Sequence, residues 1–183
     1  MDDNLWGRYF EKYLAISKIS NFWRSRYTYK KIKDLKISSL LELGAGTGLC
    51  SNYLGKRFNL NPSLLDNDSL ITDSLKIKFP DSTIYNSDLF KFKSKRKWDL
   101  VYSLGVIEHF QPKRKRIEAI KIHKNLSKRF VLIAVPVQSI MRNKYFIPPT
   151  EFRHGFYKLY RKEEFIRELK AAGLKPFRIA VNP

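Results

Sequence analysis

The stretch Leu40-Leu41-Glu42-Leu43-Gly44-Ala45-Gly46-Thr47-Gly48 constrains the fold more than any other part of this chain. An apolar run with strand character meets an acidic residue and then turns through three glycines spaced two apart. Glycine reaches positive φ without the steric cost of a β-carbon, so the backbone reverses tightly and stays open to close approach. Leu49–Phe58 contains no proline and reads as a helix, which sets the turn between a strand and a helix. In an open α/β sheet, that junction faces the crevice where nucleotide-like ligands bind.

The remaining sequence repeats the alternation. Residues 62–66 read as a short buried strand, followed by a helix with Leu70, Ile71 and Leu75 on one face and Pro80 closing it. Residues 82–86 and 98–103 fit a third and a fourth strand, and residues 129–136 a strongly apolar fifth. Between the last two lies a helix carrying Ala119, Ile122 and Leu126 on one stripe. A helix built on Phe165, Ile166 and Leu169 ends at Gly173, and residues 174–181 are predicted as a last strand. Upstream, Leu5, Trp6, Tyr9, Phe10 and Tyr13 share one helical face, and helical material is expected to about Lys36.

Strands alternating with helices imply an α/β fold of the Rossmann-like, doubly wound kind, its sheet mostly parallel and covered on both faces. One domain over residues 1–183 is expected, with an N-terminal helical cap (1–37) and a core (38–136). A segment without clear periodicity (137–160) and a C-terminal helix and strand (161–183) complete it.

Bulk properties exclude several classes. Cys50 is the only cysteine, so neither a disulfide framework nor a thiolate zinc site is available. The longest apolar stretch, 130–137, is far short of a membrane span, and the start Asp2-Asp3 does not read as a signal peptide. A reducing, cytoplasmic setting is expected. The formal net charge of +19 should attract anionic partners. Its lysines and arginines concentrate in 30–33, 91–97 and 113–116. Nucleic acid, a phosphorylated or carboxylated substrate, an anionic membrane surface, or merely solvated faces all satisfy that pattern. None of the runs interleaves aromatics as a single-strand stacking platform would.

The glycine turn separates three chemistries. A dinucleotide fingerprint wants its third glycine where Leu49 stands. A phosphate-binding P-loop wants Gly-Lys-Ser/Thr, yet Gly48 is followed by Leu49 and Cys50. The spacing Glu-x-Gly-x-Gly-x-Gly resembles the first motif of the class I S-adenosylmethionine-dependent methyltransferases. Trp98-Asp99-Leu100-Val101, followed by Ile107-Glu108-His109-Phe110, resembles a further signature of the small-molecule members. The resemblance spans roughly 40–110 and implies S-adenosyl-L-methionine as cofactor. It also implies a small, anionic or aromatic acceptor, and an O, N or C nucleophile attacking the methyl in line.

Candidate site residues follow. Asp66 ends the second strand twenty residues after Gly46, the spacing of a ribose-binding carboxylate in nucleotide-binding units. Asn67 and Asp68 are alternatives one or two places on, and a helix N-cap is the competing role for Asp66. Asp88 and Leu89 resemble the family's adenine motif, with Phe90 as a second packing residue. The resemblance gives Glu42 and the backbone of Gly44, Ala45, Gly46 and Gly48 to the methionine end, and Ser103 and Leu104 to the pocket floor. His109 is the leading general base, with fixing of the strand-to-helix turn as its structural alternative. His154 is second, in the segment where the family carries a substrate lid and where Phe146, Phe152, Phe156 and Tyr157 could line a pocket. His123, in mid-helix, is expected to take no part.

Two departures qualify the resemblance. Seven strands are implied, and only six are found. A Glu-x-x-Glu-His metal site of small-RNA methyltransferases is matched at Glu108 and His109 but has Gly105 for its first glutamate, so no metal is expected. An RNA methyltransferase, or a non-catalytic binding module on the same fold, are the competing functions.

Overall fold

The computed structural model of the chain describes residues 14–138 and 157–180, with side chains from residue 22. Its strands are β1 (Leu40–Leu43), β2 (Ser63–Asp66), β3 (Thr83–Asn86), β4 (Trp98–Leu104) and β5 (Ser127–Ala134). Its helices are α1 (Leu14–Ile32), α2 (Leu49–Phe58), α3 (Ser69–Lys78), α4 (Lys113–Leu126) and α5 (Lys162–Ala171). The five strands form one parallel sheet in the order β3-β2-β1-β4-β5. The chain enters at β1, walks outward to β3, and returns to the other side of β1 as β4. The strand order therefore reverses between β1 and β4, which opens a crevice at their carboxyl ends.

Central parallel strands are covered on both faces, and their composition shows it: every residue of β1 and β2 is buried. On one face Ile32, Cys50, Leu54, Leu100 and Tyr102 pack α1 and α2 against the sheet. On the other, Trp98, Val101, Ala119 and Ile120 pack α4, and Phe165 and Leu169 bring in α5. Trp98 is wholly buried, and its Nε1 donates to Ser63 Oγ at 2.9 Å, so its one polar group is satisfied.

Charged groups lock the periphery. Arg116 and Glu168 are both buried and pair at 2.8 Å. Tyr160 Oη donates to Glu168 Oε2 at 2.9 Å, and Arg116 Nη1 donates to the Phe110 carbonyl at 3.2 Å. Arg116 therefore leaves the basic run 113–116 and becomes the bolt between α4 and α5. Residues 137 and 160 are joined: a parallel bridge links Val137 to Tyr160, and the Gln138 amide donates to the Tyr160 carbonyl at 2.8 Å.

The predicted strand over 174–181 does not form within 174–180. Pro176 removes a ladder donor in the middle of that stretch. The segment is instead held by Arg178, which pairs with Asp34 at 2.9 Å and donates to the Lys31 carbonyl. Phe177 stacks on Phe130 of β5 at 6.1 Å between ring centroids. The helix expected from Leu5 to Tyr13 lies outside the described residues. The fifth strand starts at Ser127, directly after α4, rather than at 129.

Candidate functional site

The glycine turn sits at the carboxyl end of β1 as expected, with Gly44, Gly46 and Gly48 at φ 71, 52 and 69. The amides of Gly44 and Ala45 donate to the Leu65 carbonyl at 2.8 and 3.0 Å, which stitches the turn to the tip of β2. Two of these glycines are required by the protein's own packing. A β-carbon on Gly44 would come 2.6 Å from Val106 Cγ2, and one on Gly48 would come 2.6 Å from both Leu75 and Phe79. Gly48 is also the N-cap of α2, so that helix begins without a side-chain cap.

Beneath the turn lies a closed polar network. Ser51 Oγ donates to Glu42 Oε2 at 2.6 Å, so Tyr102 Oη, also 2.6 Å from Ser51 Oγ, donates to it. Glu42 is 3% exposed, and burial pushes its carboxyl up to about 7. The carboxyl thus supports the turn from below. Nothing in the sequence spacing of Ser51 or Tyr102 points to Glu42; only the fold brings the three together. Cys50 is buried nearby, its thiol pushed up to about 12 by desolvation, so it is an inert packing group.

Asp66 lies at the β2 tip, where the expectation put it. Its Oδ2 accepts from the Gly46 amide at 2.9 Å and its Oδ1 from the Asp68 amide at 3.1 Å. Burial raises its pKa, the first of several opposing influences. The capping role falls instead to Asp68, whose Oδ1 accepts from the Leu70 and Ile71 amides at the start of α3. Each Asp66 oxygen keeps a second lone-pair direction for a hydroxyl donor. Asn67, between the two, is exposed.

At the β3 tip, Asp88 is half-buried, and its Oδ1 accepts from the Phe90 amide at 2.7 Å, which shapes the turn after the strand. Leu89 is buried in the α4-side core, whereas half-buried Phe90 stacks edge-on against Phe110 at 4.9 Å.

The β4 tip differs from what the motif suggested for Ser103. Ser103 is wholly buried, and its Oγ lies 2.9 Å from His123 Nε2. His123 Nδ1 lies 2.8 Å from the Ala119 carbonyl, which can only accept, so Nδ1 carries the proton and Nε2 accepts from Ser103. Burial lowers His123 to about 4. The pair fastens α4 to β4, and Ser103 faces that helix. Leu104 is half-buried and packs on the opposite face, with the α1–α2 cluster.

Gly105, at φ 79, then turns the chain into a short 3-10 helix, Ile107–His109. His109 is half-buried there, its ring 5.4 Å from that of Tyr157. The Lys158 amide donates to the Glu108 carbonyl at 3.0 Å, which pins the returning end of the 137–160 segment to this rim. His154, Phe146, Phe152 and Phe156 lie outside the described residues. Arg24 of α1, which no motif includes, also approaches Gly105. A groove of about 600 Å³ bordered by Asn52, Lys56, Asn59 and Lys78 lies at the opposite end of the sheet and shares no residue with the glycine turn.

A sequence profile described as a methyltransferase domain matches residues 9–178. No curated protein sequence matches the chain. The sugar N-methyltransferase of a Streptoalloteichus species is similar in fold, with TM-score 0.63 and 16% identity over 84% of this chain and 77% of that one. Magnesium protoporphyrin IX methyltransferase of Synechocystis, solved with bound SAH, gives 0.63 and 15% over 84% and 71%. DesVI of Streptomyces venezuelae gives 0.54 and 17% over 69% and 52%, so the chain spans about half its length. At such identities the likeness is one of fold, and the profile carries the assignment. On the strength of that match, which leaves out only short stretches at the two ends, the chain belongs to the methyltransferase domain family.

Proposed function

We propose that the chain is an S-adenosylmethionine-dependent methyltransferase acting on a small acceptor. The observation that carries this reading is the Asp66 carboxylate, locked by the Gly46 amide against the glycine turn at the point where the strand order reverses. A carboxylate fixed there with unused lone pairs suits a ribose diol, and the uncapped first turn of α2 suits the amino-acid end of the same molecule. Asp88 accepts from the adenine amino group while Phe90 packs beside the ring. Bound S-adenosylmethionine supplies a methyl group on a sulfonium, which leaves as the neutral thioether.

The chain contributes orientation and proton removal. The turn and the two aspartates would hold the nucleoside, and so orient the donor toward the acceptor. His109, at the rim beside the Tyr157 ring, takes the proton lost by the acceptor's oxygen or nitrogen. An anionic acceptor suits the net charge of +19, and an aromatic one suits the rim ring of Tyr157. A sugar amine and a magnesium porphyrin, the substrates named for two structures of this fold, show how widely acceptors vary on it. No described helix is long and apolar enough to cross a membrane.

Isothermal titration with S-adenosylmethionine tests the reading: saturable heat is expected, and silence at millimolar concentration overturns it. Asp66→Asn should weaken that binding. His109→Ala should lower turnover while leaving cofactor affinity intact; retained turnover returns His109 to a structural role. An RNA acceptor is the second reading, supported by the exposed run Lys91, Lys93, Lys95, Arg96 and Lys97. It requires RNA affinity that falls steeply with salt, and salt-insensitive or absent binding removes it.

A further inference from the structure

The three basic runs carry no interleaved rings, yet the packing of α1 on α2 assembles rings and cations on one face. Tyr29 of α1 and Tyr53 and Phe58 of α2 are half-buried on the cluster that joins both helices to the sheet. Phe22 and Trp23 carry that row outward and are 48% and 61% exposed. Successive rings meet edge-on: Trp23 with Phe22 at 5.6 Å, Phe22 with Tyr53 at 6.2 Å, Tyr53 with Tyr29 at 6.2 Å and Tyr29 with Phe58 at 5.6 Å. A lone exposed ring is ordinary, but adjoining rings in one continuous row mark an interaction surface.

Helical spacing sets cations among these rings. Arg26 and Lys30 follow Phe22 at i+4 and i+8, and Lys56 and Arg57 follow Tyr53 at i+3 and i+4; all four are exposed. Neither helix contains an acidic residue, and among the described residues none of the four pairs with a carboxylate. Arg57 lies over the rings of Tyr53 and Tyr29 at 5.3 and 5.7 Å, so ring and cation alternate. A second copy of this chain would set one charge of +19 against another. A helix lying in a membrane interface segregates its apolar and basic faces, which this alternation does not. A nucleic-acid strand alternates planar bases with phosphates, and RNA offers such bases unpaired in its loops and ends. We propose that the α1–α2 face binds single-stranded RNA, with bases stacked on Trp23 and Phe22 and phosphates held by Arg26, Lys30, Lys56 and Arg57. Such binding needs neither cofactor nor turnover, so it stands apart from the small-acceptor reading.

Fluorescence anisotropy of a labelled oligouridylate, titrated with the full chain over a range of salt, tests the proposal. Wild type should bind, and Trp23→Ala should weaken binding roughly 5- to 150-fold, the worth of one stacked base. Trp23→Phe keeps a ring and should retain most of the affinity. Arg26→Gln should lower the slope of log affinity against log salt by about 0.7, the share of one phosphate contact on a single strand. Thermal melting checks the fold, and if Trp23→Ala fails to fold, the Arg26→Gln slope decides. Absent binding by wild type, or wild-type affinity and slope in both variants, overturns the inference. So does binding lost only in the double variant Lys93→Gln with Lys95→Gln, which would put the strand on another basic run. Vesicles of phosphatidylserine and phosphatidylcholine probe the membrane alternative: Trp23-dependent capture without oligouridylate binding refutes the RNA assignment. Silence with S-adenosylmethionine while oligouridylate binding persists overturns the methyltransferase reading alone.

Discussion

Replacing Glu42 by glutamine should flatten one component of the pH dependence of stability. Glu42 is buried, and its carboxyl is raised from 4.5 to about 7 chiefly by desolvation, with Ser51 and Tyr102 opposing the rise. The sign follows from proton counting. Between pH 4.5 and about 7 the unfolded chain has released this proton and the folded chain still holds it, so stability falls as pH rises and levels off above 7. At 1.36 kcal/mol per unit, a rise of about 2.5 units makes the loss about 3 kcal/mol, an upper bound if water reaches the carboxylate.

Glutamine keeps the shape and an acceptor for Ser51 but cannot ionise. Urea unfolding of both proteins at steps between pH 4 and 8 gives the difference in stability directly. Other titrating groups, including His123 and Asp99, act in both proteins and cancel in that difference. The wild type should lose about 3 kcal/mol relative to Glu42→Gln across the window. Parallel curves for the two proteins would mean that Glu42 is solvated when folded, and the buried network beneath the turn would have to be abandoned.

Three further outcomes are expected. Glu168→Gln, which leaves buried Arg116 without its counter-charge, should cost about 3–5 kcal/mol by denaturant unfolding; the double change Arg116→Met with Glu168→Leu should cost less, and a larger double penalty would refute the pairing argument. Gly44→Ala should destabilise by about 2–4 kcal/mol, from φ 71 and the clash with Val106, with part of the loss recovered by adding Val106→Ala. Asp68→Ala should lower stability by about 1 kcal/mol through its lost cap while leaving S-adenosylmethionine affinity within twofold, roughly, of wild type. A large affinity loss there would mean that Asp68, not Asp66, carries the nucleoside contact.

The sequence by itself determined the βα alternation, the parallel sheet and the glycine turn. These are written in local chemistry: apolar runs of strand length, helical spacing, and glycines where only positive φ closes the turn. The order of residues also brought Asp66 to the tip of β2, because twenty residues span one helix and one strand. Tertiary structure alone decided what each group does there. Asp66 turns to the Gly46 amide and Asp68 caps the helix, a choice that depends on which backbone N–H groups lie within reach. Ser103 faces His123 rather than the crevice because strand alternation, once β4 has its register, sends it to the α4 side. Gly48 serves packing against Leu75 and Phe79, Arg116 is withdrawn into an ion pair with Glu168, and Arg24 reaches Gly105 across some eighty residues of chain. Contacts of that separation leave no periodicity or spacing behind, since each partner is an ordinary surface residue until the sheet brings the two together.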